Sequence, residues 1–285
     1  MKKIIVIANP SKDHGLGVTA RVIEKLCEIG ASVYIKDKCV WGNLVGVCSC
    51  SEFPDDADMI IVIGGDGSVI DASILAIKMN IPLLGVNLGK VGYLTEAEPD
   101  NLKLLDRLVS GDYTVEEKLL LTTEHHKADG SVATSERLAV NDVVISQDGY
   151  CGIASFVVEN SRSECVRYRG NGIIVATPVG STAYSLSAGG PIIAHNLDSI
   201  TVTPVCPHGF FNRSIVYEPS EIIAVQNTGV SSLNISIDGR IFGMLSVGET
   251  CRIYASKHKL KMVTFTTNNM FTALFDKIKL FESNG

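Results

Sequence analysis

Two different sequence patterns meet in the segment Ile63-Gly64-Gly65-Asp66-Gly67-Ser68. Uninterrupted apolar residues precede it at 59–62, as in a parallel strand that is buried on both faces. After it, residues 69–79 carry the pattern of a helix. We therefore predict that residues 63–68 form the turn at which a buried strand ends and a helix begins.

The glycines of this turn predict that a ligand approaches the backbone closely, since glycine accepts positive φ and carries no side chain. Such turns are where α/β proteins bind anionic ligands, and the N–H groups and dipole of the helix start favour phosphate. The carboxylate of Asp66 would repel a phosphate, so it indicates another role, either taking a proton or positioning a metal-bound phosphate. A plain Asp-Gly turn is the competing interpretation, and this segment alone does not separate the two.

Around this turn, the first third of the chain alternates strand and helix patterns. Strands are predicted at 3–8, 31–35, 58–63 and 82–86, and helices at 16–29, 69–79 and 102–109. This order is typical of a parallel sheet covered by helices on both faces.

From about residue 111 the pattern changes to period-two alternation and hairpin turns. Strands are predicted at 140–145, 153–159, 172–177, 199–205, 222–226, 232–237 and 250–255. A turn at 128–131 is predicted between two polar strands, and helices are predicted at 181–188 and 268–280. We therefore predict an α/β plus mostly-β chain. A Rossmann-like open α/β domain takes 1–110 plus 266–285, its last helix packing back on it, and a mostly-β, β-sandwich-type domain takes 111–265.

Composition limits the classes of partner. The net charge is −6 with scattered Lys and Arg, which argues against nucleic acid or an anionic membrane as a partner. No segment is long enough to span a bilayer. The eight cysteines lie mostly in strand-like and helix-like runs, which predicts reduced thiols and a cytoplasmic protein. A metal site at Cys39, Cys48 and Cys50 is disfavoured, because no His or second close pair completes four ligands.

Further motifs accompany the glycine turn in a fixed order. They are Leu-Gly-Lys-Val-Gly-Tyr-Leu-Thr-Glu at 88–96, the pair Asn141-Asp142, and Thr-Pro-Val-Gly-Ser-Thr-Ala-Tyr-Ser-Leu-Ser-Ala-Gly-Gly-Pro at 177–191. With these motifs the sequence resembles the NAD kinase family over nearly its whole length. The Gly-Gly-Asp-Gly turn by itself is shared with lipid kinases and phosphofructokinases, so it sets only the superfamily.

The resemblance implies transfer of a phosphoryl group to the 2′-hydroxyl of the adenosine ribose of NAD, which makes NADP. It also implies a homodimer or homotetramer, and Mg²⁺ or another divalent cation with ATP, another triphosphate or polyphosphate as donor. A sugar hydroxyl hardly ionises near neutral pH, so a carboxylate must take its proton. Asp66 matches the catalytic Asp of the family.

Other site residues follow from the same resemblance. Gly64, Gly65, Gly67 and Ser68 would bind the donor phosphates, with Asp238 and Arg240 nearby, although Asp238 could also merely make an Asp-Gly turn. The NAD-binding set would be Asn141, Asp142, Arg169, Asn171, Thr182, Ala183, Tyr184 and Ser187. For Asn141-Asp142, Arg169 and Tyr184 the alternatives are a strand-start turn, a solvated charge and core packing.

One position departs from the family, which usually has Asp where this chain has Asn171. In the family that carboxylate lies near the nicotinamide, so its loss bears on recognition of that end and not on the reaction. Two other functions stay open from sequence alone: a lipid or sphingoid kinase with the same glycine turn, and a non-catalytic NAD(H)-binding sensor.

Overall fold

The computed structural model describes residues 1–36, 47–89, 92–147, 153–209 and 211–265. The chain divides into two compact units: Met1–Glu117 together with the chain from Leu260 onward, and Lys118–Lys259. The predicted helix at 268–280 lies outside the described residues. Among the described helices, none is long and apolar enough to cross a membrane.

The first unit alternates strands and helices. Its elements are β1 (Lys3–Ala8), α1 (Gly17–Glu28), β2 (Ser32–Ile35), β3 (Val47–Ser49), β4 (Met59–Gly64), α2 (Asp66–Met79), β5 (Leu83–Asn87) and α3 (Asp106–Ser110), with 3₁₀-helices at His14–Leu16 and Pro99–Leu105.

The second unit is built mainly of strands. They are β6 (Thr114–His126), β7 (Val132–Ala139), β8 (Asp142–Gln147), β9 (Ala154–Glu159), β10 (Cys165–Gly170) and β11 (Gly172–Ala176). After a 3₁₀-helix (Gly180–Thr182) and α4 (Tyr184–Ser187) come β12 (Ile200–Val205), β13 (Ile215–Tyr217), β14 (Ile222–Asn227), β15 (Leu233–Ile237), β16 (Arg240–Leu245) and β17 (Thr250–Thr264). By residue number, β6 and β17 belong partly to each unit.

The strands of the first unit form a parallel sheet in the order β3-β2-β1-β4-β5, and Met262 of β17 then pairs with Leu83. Every residue of β4 is buried. Ile61 and Ile63 lie in one core cluster with Val22 and Leu26 of α1. Successive side chains of a strand point to opposite faces, so the fully buried Ile60 and Val62 show that the other face of the sheet is also covered.

The second unit contains a six-stranded antiparallel sheet in the order β13-β12-β11-β8-β15-β16. A second antiparallel set runs β10-β9-β14-β17. One buried cluster takes Ile173 and Ile235 from the first of these sheets and Phe156 and Ile253 from the other, so the two sheets enclose a common core. The predicted combination of an open α/β domain with a mostly-β sandwich domain is confirmed.

Several element predictions need correction. The predicted helix at 181–188 is broken at Ala183, which has φ −99° and ψ −130°, into a short 3₁₀-helix and the four-residue α4. The predicted helix at 102–109 is a 3₁₀-helix followed by α3. The strand predicted at 250–255 continues to Thr264. Four strands were not predicted: β3, β10, β13 and β16.

Candidate functional site

The glycine turn occupies the point that the sequence predicts for it. β4 ends at Gly64, Gly65 is extended at φ −115° and ψ −171°, and α2 begins at Asp66. The helix begins three residues before the predicted Val69, so Asp66, Gly67 and Ser68 all lie in its first turn. The N–H of Leu88, after β5, donates to the Gly64 carbonyl at 2.7 Å, which joins the ends of these two parallel strands.

Close packing explains Gly64, and Gly65 has a charged neighbour. A Cβ on Gly64 would lie 2.5 Å from the Cβ of Ser68. A Cβ on Gly65 would lie 2.7 Å from the Nζ of Lys12. A side chain at either position would displace a group that lies over the start of α2.

The Asp66 carboxylate is oriented by the backbone of the 88–96 motif. The Tyr93 N–H donates to both carboxylate oxygens at 3.1 Å, and the Leu94 N–H donates to Oδ1 at 3.1 Å. A Cβ on Gly92 would lie 2.9 Å from Asp66 Oδ1, so only glycine lets this segment approach so closely. Lys90 and Val91 of the motif lie outside the described residues. The motif therefore fixes the direction of the predicted catalytic carboxylate.

Sequence reasoning missed a second loop at this edge of the sheet, the one that follows β1. The Asn9 side-chain amide donates to Ser68 Oγ at 2.8 Å, and the Asn9 N–H donates to the Ile63 carbonyl at 3.0 Å. Lys12 lies in the same loop. The available signal was topological, because the carboxyl ends of adjacent parallel strands lie at one edge of a sheet.

In the second unit, the side chain of Asp238 holds the backbone at Asn141 and Asp142. The Asp238 carboxylate accepts three backbone N–H groups: Asn141 at 2.7 Å and Asp142 at 3.2 Å on Oδ1, and Val140 at 2.9 Å on Oδ2. The Asp238 N–H donates in turn to the Asp142 carbonyl at 3.0 Å. Asp238 has φ +47°, a left-handed conformation that Asp and Asn adopt more readily than most residues. The Asp-Gly turn of the alternative interpretation is thus present, and its carboxylate holds the 140–142 loop.

Two carboxyl groups therefore lie close together in this part of the second unit. Burial, and secondly the like charge of Asp238, raises the pKa of Asp142 to about 7. Burial also raises the pKa of Asp238, although the three backbone hydrogen bonds and the charge of Arg240 oppose the rise. Arg240 is exposed at the start of β16. The two acids differ in their partners, since the backbone N–H groups favour the ionised form of Asp238.

The 177–191 motif packs against the Asn141 backbone. The Thr177 N–H donates to the Asn141 carbonyl at 2.8 Å, and the Thr177 hydroxyl donates to the Val140 carbonyl at 2.6 Å. A Cβ on Gly180 would lie 2.8 Å from the Asn141 Cα and closer still to its carbonyl, so this approach requires glycine. The motif and the Asn141-Asp142 pair are thus brought together, as their predicted common role requires.

The four predicted residues that follow are differently exposed. The Thr182 hydroxyl donates to the Val179 carbonyl at 3.1 Å, and Thr182 and Ala183 are partly buried. Tyr184 is 47% exposed, which contradicts the alternative of core packing for this ring. Ser187 is exposed at the end of α4. The helix predicted at 181–188 thus begins as a single 3₁₀ turn at Gly180–Thr182, because the helix breaks at Ala183.

Arg169 and Asn171 lie on either side of Gly170, where β10 leads into β11, and both are exposed. The Asn171 N–H donates to the Val205 carbonyl at 2.9 Å, and the Arg169 carbonyl accepts the His208 N–H at 2.6 Å. These bonds fix the backbone and leave both side chains toward solvent. Within the described ranges, no hydrogen bond joins either side chain to the Asn141 loop.

Family models match most of the chain. The ATP-NAD kinase N-terminal domain matches residues 45–113, and the ATP-NAD kinase C-terminal domain matches residues 140–265.

Proteins of similar sequence match nearly the full length of this chain. The NAD kinase of Lachnoclostridium phytofermentans is 33% identical over 284 residues, covering 97% of this chain and 99% of that protein. The NAD kinase of Geobacter sulfurreducens is 35% identical over 283 residues, covering 98% and 99%.

Two solved structures share the fold. Yeast NADH kinase complexed with NADH has a TM-score of 0.82 at 21% identity, covering 96% of this chain and 86% of that one. An NAD kinase from Archaeoglobus fulgidus in complex with ATP has a TM-score of 0.75 at 24% identity, covering 97% and 98%. This chain belongs to the NAD kinase family.

Proposed function

We propose that this protein is an NAD kinase that transfers the terminal phosphoryl group of ATP to the 2′-hydroxyl of the adenosine ribose of NAD. One observation carries the proposal: in a member of this family, the Asp66 carboxylate stands at the first turn of α2 and is held there by the Tyr93 and Leu94 N–H groups. The lipid-kinase and sensor alternatives gain no support, because the similar proteins match this chain over nearly their full length and are named NAD kinases.

Asp66 acts as the general base. The ribose hydroxyl loses its proton as the new P–O bond forms, and a carboxylate within hydrogen-bond reach accepts it. The two backbone donors hold Asp66 in one orientation, so little freedom is lost when the reacting hydroxyl arrives. Gly92 supports this arrangement, since any side chain there would separate the donors from the carboxylate.

The donor phosphates bind at Gly64, Gly65, Gly67 and Ser68. The first turn of α2 presents backbone N–H groups and the positive end of its dipole, both of which stabilise phosphate. Among the described residues, no group of three His, Cys, Asp or Glu side chains could hold a metal. Mg²⁺ fits this donor set only as part of the substrate, since it is commonly held by substrate phosphates, water and one or two carboxylates. Such an ion would neutralise charge on the transferring group.

NAD binds through the second unit. The Asn141 amide and the Asp142 carboxyl can read an adenine edge and ribose hydroxyls. Thr182, Ala183, Tyr184 and Ser187 complete the adenosine side, where the exposed ring of Tyr184 is free to stack on a base. Arg169 meets the pyrophosphate and Asn171 lies toward the nicotinamide. Asp238 positions the Asn141 loop, and Arg240 supports the ionised form of Asp238.

The test is an NADP-formation assay on the purified protein. NAD is combined in turn with ATP, another triphosphate or polyphosphate, each with Mg²⁺ and with EDTA, and NADP is detected with an NADP-specific dehydrogenase. We expect NADP with at least one donor and a loss of product with EDTA. Absence of NADP with every donor would refute the proposal, as would phosphorylation of diacylglycerol in a parallel assay in which that lipid replaces NAD.

We further propose a cytoplasmic homodimer or homotetramer. The six cysteines within the described ranges are free thiols, which supports a reducing compartment. Light scattering coupled to size-exclusion chromatography will give the oligomeric state, and a monomer active in the NADP assay would contradict this part.

A further inference from the structure

The loop after β1 is fastened to the glycine turn. β1 and β4 are adjacent and parallel, with Ala8 opposite Ile63, so their carboxyl ends lie side by side. Asn9 joins the two loops through its backbone N–H, which donates to the Ile63 carbonyl, and its side-chain amide, which donates to Ser68 Oγ. The residues just after Asn9 are thereby held beside the first turn of α2.

Lys12 follows Asn9 in a tight turn. The Asn9 carbonyl accepts the N–H of Lys12 at 3.0 Å and that of Asp13 at 2.9 Å, which sets the direction of the loop. The Lys12 ammonium lies 2.7 Å from the place that a Cβ on Gly65 would occupy. Lys12 is exposed. Its charge thus lies over the residue that caps α2, on the solvent side of the turn.

Neighbouring acids do not neutralise this charge. Asp13 is only 4% exposed, and its carboxylate accepts the N–H groups of Val18 at 3.2 Å and Thr19 at 2.8 Å at the start of α1. Asp66 is oriented toward the Tyr93 and Leu94 N–H groups. In the parts of the chain that the structure describes, no carboxylate lies within 4.0 Å of the Lys12 ammonium.

We propose that Lys12 binds the phosphates of the phosphoryl donor directly, a role that rests on the proposed function and adds a residue to it. Lysine is a common phosphate ligand and acts as a point charge. At this position it supplements the backbone N–H groups of the turn with a full positive charge, opposite in sign to Asp66. Glycine at position 65 then leaves room for the ammonium in its present place, and it lets a phosphate reach the backbone.

The experiment compares Lys12→Gln, which removes the charge, with Lys12→Arg, which keeps it. Lys78→Gln is the matched control. Lys78 is also an exposed lysine, but it lies in the last turn of α2, about 20 Å along the helix axis from the glycine turn. We measure KM for ATP and for NAD, and the affinity of the protein alone for inorganic tripolyphosphate by calorimetry at low and high salt.

Lys12→Gln should raise KM for ATP and weaken tripolyphosphate binding about three- to tenfold, since exposed and partly screened charge pairs are modest in strength. KM for NAD should change less than twofold. The loss should shrink at high salt. Lys12→Arg should restore most of the affinity, and Lys78→Gln should match the parent protein.

The inference is overturned if Lys12→Gln leaves both the ATP and tripolyphosphate values within twofold of the parent, or if Lys78→Gln changes them equally. Failure of the proposed function gives a different result: the parent protein makes no NADP, while tripolyphosphate binding still depends on Lys12.

Discussion

Replacing Asp238 by Asn should weaken NAD binding without affecting the phosphoryl donor. The substitution keeps the shape of the side chain and suits the backbone, because Asn tolerates the left-handed φ of +47° that Asp238 adopts. It removes one of the two oxygens that hold the 140–142 loop. Alanine would be a poorer choice, since backbone strain would then add to the loss of hydrogen bonds.

The magnitude follows from the three hydrogen bonds. The remaining oxygen of Asn can serve the Asn141 and Asp142 N–H groups, which both point to Oδ1. The amide nitrogen then faces the Val140 N–H, and Val140 is only 3% exposed, so water does not replace the lost acceptor. A buried unsatisfied N–H costs about 1–3 kcal/mol. Removing a partly buried charge beside Asp142 offsets part of this cost, so we expect about 1–2 kcal/mol, or a five- to thirtyfold rise in KM for NAD.

The assay is steady-state kinetics with each substrate varied in turn. Asp129→Asn is the matched control, because Asp129 also accepts two hydrogen bonds in a turn of the second unit but is exposed, at the tip of the hairpin between β6 and β7. A rise in KM for the donor with KM for NAD unchanged would refute the positioning role. That result would return Asp238 to the donor site, where the sequence alone had placed it. No change in either KM would show that the loop does not depend on this carboxylate.

Two further predictions concern charge. Asn171→Asp should raise the NAD⁺/NADH ratio of kcat/KM about two- to fivefold, because an exposed carboxylate near the cationic nicotinamide contributes about 0.2–1 kcal/mol; a ratio that stays constant, or shifts equally at low and high salt, would contradict a charge effect. Asp142→Asn should raise Tm relative to the parent more at pH 8 than at pH 5. The pKa of Asp142 in the folded protein is about 7, above the ordinary 3.8, so between these pH values the folded state keeps a proton that the unfolded chain releases. The free energy of unfolding of the parent therefore falls as pH rises through this range, by up to about 1.4 kcal/mol per pH unit. Equal Tm differences at both pH values would show that Asp142 titrates normally.

The strands predicted correctly from sequence are buried strands, whose burial shows as a local run of apolar residues. β4 is fully buried and reads as an unbroken apolar run, and the sandwich strands β8, β11 and β12 were predicted in the same way. The four strands that were missed, β3, β10, β13 and β16, each lie at an end of a sheet order. Edge strands are solvated on one side, so they lack the apolar pattern. In β10, for example, only Tyr168 and Gly170 are buried.

The site residues that could be predicted from sequence are likewise those that lie in one continuous segment. Asp66 and the glycines could be located because the turn is continuous in sequence, although the start of α2 was placed too late because Gly67 interrupts the helical pattern. Lys12 could not be located, because it meets Gly65 only through the parallel pairing of β1 with β4. The contact of Asp238 with Asn141 spans 97 residues and needs the pairing of β15 with β8. Local pattern carries no information on such contacts.

The proposed role of Asp66 is to take the proton of the ribose hydroxyl in the reaction that makes NADP. A comparison of kcat for NADP formation by the parent protein and by Asp66→Asn tests this role. Asn keeps the size of the side chain but cannot accept the proton. We predict that kcat falls about 10²–10⁴-fold, the usual loss when a general base is removed, while the affinity for NAD changes little. A variant that keeps more than about a tenth of the parent kcat would exclude Asp66 as the base, and a parent protein that makes no NADP would contradict the assigned reaction itself.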